Sequence, residues 1–338
     1  MRRFFFLSTG LALAVVAVSR HQSTEMANTS GIPDLGIGAN MNGYRPFMGN
    51  NPWNSKVETL KVHPLSAAYV NSIGIDKALH PDFGANWDGG PFGIPYIVVE
   101  RTAPKVPVSF DYADESDPGP YPIPGNTPIE GGEDSDGDRH MLIVNRSDKK
   151  LYELYYAFPT RSGNAIKSVK AGSGAIFNMN SNKLRPAGWT SADAAGLPIF
   201  PGLVRYDEVA RGEIKHALRF TVSRTQRAYI SPATHFASND KNPNLPPMGL
   251  RFRLKKSFNI STYPPQARVV LQALKTYGMF VADNGSNWYL SGAPDARWDD
   301  DQLNTLKKLR GRDFEAVTTS KIVTAAAVVE PSRSGNAA

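Results

Sequence analysis

The sequence contains no cysteine, and this absence excludes several kinds of protein. A disulfide scaffold, a thiolate zinc site, an iron–sulfur cluster and a cysteine nucleophile all need thiols that the 338 residues lack. Histidine is also scarce, with 6 residues, so each one can be weighed as a candidate ligand or base. Hydrophobic residues at 41% and charged residues at 20% are ordinary for a globular protein, which argues against a disordered chain.

Long apolar runs are absent after the N-terminus, where residues 1–19 have the pattern of an export signal. A positive start at Arg2-Arg3 is followed by an apolar run of roughly 15 residues and the small-x-small pair Ala17 and Ser19. The run is shorter than a membrane span of about 20 residues, so we expect cleavage and no membrane insertion afterwards. Arg2-Arg3 also partly resembles a twin-arginine signal. The predicted location is secreted or periplasmic.

Charge is unevenly distributed along the chain. The net charge is +7 and falls by two if Arg2 and Arg3 leave with the signal. Residues 111–138 are acidic without Lys or Arg, whereas residues 251–275 are basic without acid. The basic residues are not grouped with stacking aromatics in a recognisable module, so no nucleic-acid partner is predicted. A binding surface for an anionic polymer remains an alternative to a solvated face.

Composition divides the chain into four predicted segments. They are a signal peptide at 1–19, a flexible leader at 20–45, a single β-rich domain at 46–316 and a flexible C-terminal tail at 317–338. Alternating apolar residues at 216–222 and 250–255 predict strands with one buried face and one open face. Helices are predicted near 264–278 and 299–311. The predicted fold is mostly β, a β-sandwich or jelly-roll-like core with a few peripheral helices, and a monomer is expected.

Carboxylates and histidines supply the candidate catalytic groups. A glycosidase needs two carboxyl groups at a set separation, and a general base can be an imidazole. Asp207 and Glu208 follow a tight Pro-Gly turn, and Glu153 lies inside a predicted strand, where a charge is unusual. His216 and His235 are placed at the ends of a predicted hairpin, where they could meet. The candidate catalytic residues are Asp207, Glu208, Glu153, Glu213, His216 and His235.

Metal sites are weaker candidates. Asp134, Asp136 and Asp138 alternate along an acidic loop and could offer oxygens to calcium, although the EF-hand pattern fails at Arg139 and Asn145. No cofactor is required by the sequence. A His-ligated metal site built on His140, His216 and His235 is a further alternative.

Aromatic residues mixed with amides and carboxylates predict sugar contacts, because aromatic faces stack on sugar rings and polar groups bind the hydroxyls. Arg251 and Arg253 are expected on the open face of a strand, where they could neutralise a uronate carboxylate. The candidate substrate-binding residues are Trp189, Asp193, Arg251, Arg253, Asn287, Trp288 and Tyr289.

Four stretches together resemble a family of secreted bacterial and fungal proteins to which we can attach no catalytic residue. They are PGLVRYDEV at 201–209, HALRFT at 216–221, LPPMGLRFRL at 245–254 and ADNGSNWYLSGAPD at 282–295. The resemblance covers roughly residues 45 to 315 and implies a single exported domain. It carries no activity to this chain.

The sequence therefore leaves three hypotheses open. The first is a secreted enzyme acting on an extracellular polysaccharide, either a glycoside hydrolase or a lyase on a uronate-containing glycan. In the lyase version, His216 or His235 is the base. The second is a non-catalytic carbohydrate-binding or cell-surface protein, and the third is a His-ligated metalloenzyme.

Overall fold

The computed structural model describes residues 31–324, and the predicted signal at 1–19 lies outside them. Strands hold 29% of the residues and helices 16%, so the predicted mostly-β class is confirmed. The helices are α1 (Ser66–Ile73), α2 (Tyr206–Ala210), α3 (Pro265–Thr276) and α4 (Asp300–Asn304). No helix among residues 31–324 has the length and apolar character needed to cross a bilayer.

Twenty strands are formed by the described residues. In chain order they are β1 (Gly36–Ile37), β2 (His80–Asp82), β3 (Gly84–Trp87), β4 (Gly90–Phe92), β5 (Tyr96–Val99), β6 (Lys105–Val106), β7 (Val108–Phe110), β8 (Tyr121–Pro122), β9 (Met141–Asn145), β10 (Lys150–Tyr155), β11 (Phe158–Ser162), β12 (Ala165–Ala171), β13 (Ser173–Asn178), β14 (Leu218–Val222), β15 (Ala228–Ile230), β16 (Arg251–Leu254), β17 (Met279–Asn284), β18 (Tyr289–Ser291), β19 (Phe314–Val317) and β20 (Ile322–Thr324).

Two large sheets organise these strands. The five-stranded sheet has the order β1-β5-β9-β10-β13, and the six-stranded sheet has the order β19-β16-β17-β14-β18-β2. Side chains from both sheets contribute to one large hydrophobic core. Jelly rolls are built from antiparallel strands, whereas here β5 pairs with β9, β14 with β17 and β18 with β2 in parallel.

A second, smaller core lies on the other face of the five-stranded sheet, against β12 of the three-stranded sheet β11-β12-β7. Strand β9 shows how the sequence serves both cores. Leu142 and Val144 belong to the large core, and Met141 and Ile143 belong to the small one. Since alternate side chains point to opposite faces, a strand buried on both faces is a continuous apolar run.

The packed structure extends past both predicted domain limits. In the predicted leader, β1 pairs with β5, and Met41 is fully buried. In the predicted tail, β19 ends at Val317, and β20 pairs with β15. The expected boundaries at 45/46 and 316/317 are therefore wrong, because residues on both sides of them form ladder hydrogen bonds or core contacts.

The helix predictions were close for α3, whereas the second helix is interrupted. Asp299, at the predicted start of this helix, caps α4, because its side chain accepts a hydrogen bond from the backbone N–H of Gln302. The α-helix then ends at Asn304 and continues as a short 3-10 turn, Thr305–Lys308.

The expected open face of β16 is wrong. Arg251 and Arg253 are both buried, and their guanidinium groups donate to backbone carbonyls of residues 52–60 instead of facing a substrate. Arg251 donates to the carbonyls of Tyr277, Pro52 and Ser55 and lies over the ring of Phe280 at 4.0 Å. The strand is covered on both faces, so alternation along it separates two buried environments.

Candidate functional site

A cleft of about 440 Å³ is lined by residues at strand ends of the two large sheets. The five-stranded sheet contributes Tyr155 and Ser173, and the six-stranded sheet contributes Asp283 and Asn284. Loops complete it, and four carboxylates but no Lys or Arg are among its lining residues. The lining consists of Tyr112, Glu115, Asp138, Tyr155, Ser173, Thr190, Ser191, Ala192, Asp193, Ala194, His235, Ala237, Asp283 and Asn284.

Asp283 is placed in this cleft by a β-bulge. In the pairing of β14 with β17, Phe220 is opposite Val281 and Thr221 is opposite Asp283, so Ala282 is an extra residue. A bulge re-aims the side chain that follows it, and bulges are common beside active sites. The Ala282 carbonyl, which the bulge diverts from the ladder, accepts a hydrogen bond from the backbone of Ala195 at 3.0 Å.

The side chain of Asp283 is hydrogen-bonded to that of Asp193. Asp193 is fully buried, and Arg219 on β14 holds both of its oxygens, with Nε 3.2 Å from Oδ2 and Nη2 2.9 Å from Oδ1. Nη1 of Arg219 donates to the hydroxyl of Ser291 at 2.6 Å. A guanidinium that pairs with both oxygens favours the ionised carboxylate, so the shared proton resides on Asp283.

Burial raises the pKa of Asp283 to about 7, and the negative charge of Asp193 and the hydrogen bond to it act in the same direction. Burial also raises the pKa of Asp193, while Arg219 and the hydrogen bond from Asp283 oppose that effect. Asp283 is therefore a partly accessible carboxylic acid that keeps its proton up to neutral pH. Such a group can donate a proton to a substrate.

The loop that carries Asp193 is held by a second charged pair. Nδ1 of His140 lies 2.5 Å from Glu130, and its Nε2 lies 3.1 Å from the carbonyl of Ala192, so both ring nitrogens face acceptors. Burial lowers the pKa of His140, but the Glu130 carboxylate more than offsets this and raises it to about 9. Gly196 closes the same loop at φ +72°, and a Cβ there would lie 2.2 Å from the hydroxyl of Thr234.

His235 and Asp138 face the cleft from two other loops. Nδ1 of His235 lies 2.7 Å from the Ala194 carbonyl, which can only accept, so Nδ1 carries a hydrogen. In the neutral ring, Nε2 then has a free lone pair, as a general base requires. Asp138 is solvent-accessible at the cleft wall, but partial desolvation by the surrounding protein raises its pKa. The charges of Glu130 and Asp283 act in the same direction, whereas His140 opposes them.

The predicted catalytic residues fall in three different environments. Asp207, Glu208 and His216 do come together, but in a buried cluster with Arg205 that is absent from the lining of the cleft. Arg205 is 2.8 Å from Glu208, and Glu208 is 2.9 Å from Nε2 of His216. We call these four residues the closed cluster. Burial raises the pKa of Glu208, but Arg205 and His216 reverse this and lower it overall.

Glu153 and Glu213 lie elsewhere. Glu153 is fully buried, and its carboxylate accepts hydrogen bonds from the backbone N–H groups of Ile199 and Phe200. It therefore anchors a loop and reaches no open space. Glu213 is exposed and pairs with Lys215 at 2.9 Å. The predicted meeting of His216 and His235 is wrong, because β14 pairs with β17 and β18 whereas β15 pairs with β20, so no hairpin joins them.

Among the predicted sugar contacts, Asp193 lies in the cleft wall and Trp189 is half-buried next to the lining residue Thr190. Trp288 is fully buried and stacks between Phe220 and Phe314, so its prediction as a surface contact is wrong. Tyr289 and Asn287 line other grooves of the six-stranded sheet.

In the predicted calcium loop, backbone carbonyls bind an arginine side chain. The guanidinium of Arg139 is buried and donates to the carbonyls of Glu133 and Ser135, each at 2.8 Å. Asp134 and Asp136 are exposed. Within residues 31–324, no three His, Asp or Glu side chains are grouped so that they could hold a metal ion. The geometry therefore gives the calcium site and the three-histidine site no support.

Sequence reasoning missed Asp283, Arg219 and the His140–Glu130 pair as one unit. The available signal was an acidic residue directly after the apolar strand at 279–282, since side chains at strand ends are often functional.

In comparisons with known proteins, no family model, no curated protein and no solved structure matches this chain. The class defined here is thus a mostly-β protein with an acidic cleft built around a hydrogen-bonded carboxyl pair.

Proposed function

We propose that this protein is a glycoside hydrolase that acts on a polysaccharide without uronic acid units. The observation that carries the proposal is Asp283, a partly accessible carboxylic acid in an open cleft, whose pKa is raised by burial and by the adjacent ionised Asp193 that Arg219 holds. Hydrolysis of a glycosidic bond needs an acid of this kind to protonate the leaving oxygen.

Asp138 is the second carboxyl group of the proposed mechanism. As Asp283 gives its proton to the glycosidic oxygen and the bond to the sugar breaks, Asp138 takes a proton from the attacking water. His235, with Nε2 free in its neutral form, is the other group that could accept this proton. Tyr112 and Tyr155 offer aromatic faces to a sugar, and Thr190 and Asn284 offer polar groups for hydroxyls.

Two observations argue against the lyase version. The cleft is lined by the carboxylates of Glu115 and Asp138, which would repel a uronate chain, and no Lys or Arg is among its lining residues. The cations expected to neutralise the uronate, Arg251 and Arg253, are instead buried against backbone carbonyls.

The carboxyl pair also invites comparison with the shared-proton dyad of aspartic peptidases. In such a dyad, both carboxyl groups reach the substrate or its water. Here Arg219 occupies both oxygens of Asp193, which is fully buried. Asp193 is thus a positioning residue, and one accessible acid is better suited to protonating a leaving oxygen.

The test is a screen of purified protein on laminarin, xylan, galactomannan, chitosan and polygalacturonate, with reducing ends and unsaturated ends measured separately. We expect reducing ends from at least one uronate-free polymer. D283N should lower kcat about 10²- to 10⁴-fold. The exposed carboxylate variant E213Q is the matched control. Unsaturated ends from polygalacturonate, or full activity in D283N, would overturn the proposal.

Binding of a polymer without any product would instead favour the carbohydrate-binding alternative. D138N and H235N, assayed separately, identify the base, because only the group that takes the proton from water should lower kcat with KM little changed.

We also propose export through the signal at residues 1–19, in keeping with the resemblance to secreted proteins. The mass of protein recovered outside the cytoplasm checks this, since removal after Ser19 leaves a chain that begins at Arg20. A full-length chain retained inside the cell would contradict it.

A further inference from the structure

A second groove, which shares no lining residue with the cleft, lies beside the short hairpin formed by β3 and β4. Its volume is about 440 Å³. At its rim stands Trp87, with 73% of its surface exposed, whereas the tryptophans at 53, 288 and 298 are buried and Trp189 is half-buried. Leaving a large indole in water forgoes hydrophobic stabilisation, and Trp87 does not stand alone, because the ring of Phe92 lies beside it in the same groove.

The hairpin holds Trp87 in a defined position. Asp300, at the start of α4, accepts hydrogen bonds from the backbone N–H groups of Ala85 and Asn86 at 2.8 and 3.0 Å. The turn at Asp88 and Gly89 has φ of 51° and 90°, the left-handed values of a tight two-residue hairpin turn. The aromatic ring is therefore presented by a pinned β-turn, and Phe92 on the partner strand lies 6.3 Å from it.

A second aromatic surface is present in the groove. Tyr289 lies against His80 with ring centroids 4.2 Å apart. Burial lowers the pKa of His80, and Lys307 adds to this, so the imidazole is neutral at pH 7. Asn86 and Asn304 are exposed in the same groove and can bind hydroxyl groups.

We propose that this groove is a second glycan-binding site, which takes uncharged sugar rings on Trp87 and Tyr289 and holds a polymer away from the cleft. Aromatic faces suit the C–H surface of a sugar, and amides suit its hydroxyls. The charged residues that line the groove are one cation, Lys307, and two acids, Asp82 and Asp300. They do not form the cluster of positive charge that a polyanion would need. The ligand class follows the proposed function, whereas the site itself does not depend on catalysis.

The experiment is affinity electrophoresis of the full chain in gels that contain laminarin, xylan, galactomannan or hydroxyethyl cellulose. The D283N background prevents digestion of the polymer. We expect retardation in at least one gel, a tenfold or greater loss of affinity in W87A and substantial retention in W87F. Leu35, which is 52% exposed beside the five-stranded sheet, provides the control L35A, whose mobility should equal that of the parent.

Tryptophan fluorescence gives an independent readout. Trp87 is the most exposed indole of the described residues, so acrylamide quenching should fall when the retarding polymer is added and should show no such protection in W87F. No retardation in any gel, or retardation unchanged by W87A, would overturn the proposal. A dimer in light scattering that dissociates in W87A would also overturn it, since Trp87 would then contact a second copy of the chain.

Failure of this site and failure of the proposed function are distinguishable. Cleavage that does not depend on Trp87 removes the second site and leaves the hydrolase intact. Retardation that depends on Trp87 without cleavage supports the site and removes the hydrolase.

Discussion

The closed cluster and the cleft use the same chemistry for different ends. In each, a buried arginine holds a carboxylate: Arg205 holds Glu208 at 2.8 Å, and Arg219 holds Asp193 at 2.9 Å. In the closed cluster each charged side chain takes part in an ion pair, although Nε of Arg205 and Oδ1 of Asp207 have no hydrogen-bond partner. In the cleft, the paired carboxylate has a further neighbour, Asp283, which reaches open space. A buried ion pair thus marks a candidate site only when a further titratable group beside it reaches open space.

The largest effect on folding should come from breaking the closed cluster. E208Q leaves Arg205 and His216 without their carboxylate, because the remaining contact of Arg205 with Asp207 is 3.9 Å long. We expect a loss of about 3–5 kcal/mol in the free energy of unfolding, measured by urea titration. D283N makes the same chemical change in the cleft and should cost less than about 1 kcal/mol at pH 5. Equal losses in the two variants would contradict the comparison.

The effect of pH on stability should differ between Asp283 and the closed cluster, because folding raises the pKa of Asp283 and lowers that of Glu208. Because the pKa of Asp283 rises from 3.8 to about 7 on folding, the unfolded chain releases this proton first. The free energy of unfolding should therefore fall as pH rises from about 4 to about 7, by up to about 4 kcal/mol for this one group.

D283N removes that contribution, so its stability relative to the parent should increase between pH 4 and pH 8. Urea titrations at a series of pH values measure this difference. Parallel curves for the two proteins would show that Asp283 titrates normally in the folded chain.

The smallest effect should come from Glu213, a carboxylate that sequence reasoning placed in the site. It is exposed and pairs only with Lys215, so E213Q should change the free energy of unfolding by less than about 0.5 kcal/mol. Activity should equal that of the parent. A loss of activity comparable to that of D283N would move the site from the cleft to the region of residues 207–216.

The success of sequence reasoning depended on how local each feature is. The strands within 216–222 and 250–255 and the cap at Asp299 follow from side-chain pattern and from hydrogen bonds within a few residues. The open face of β16 was predicted wrongly, because alternation shows which residues share a face but not what covers that face. Arg251 is buried because backbone carbonyls of residues 52 and 55, distant in sequence, surround it.

Individual site residues show the same division. Asp193 was selected for its polar, aromatic neighbourhood, and the structure places it in the cleft wall. Its partner Arg219 is 26 residues away and Asp283 lies on another strand, so no local spacing relates the three. The contrast between Glu153 and Asp283, both with a pKa raised to about 7, depends entirely on which one faces open space.

By itself, the sequence determined the mostly-β class, the absence of thiol chemistry, the apolar strands and the ends of α3, because these depend on composition and on contacts a few residues apart. Tertiary structure alone decided which charges are enclosed and which are accessible. It brought Asp193, Arg219 and Asp283 together through a β-bulge and a loop contact. Burial and charge pairing set the protonation of a side chain. Both depend on what surrounds that side chain in the folded protein and not on its neighbours in sequence.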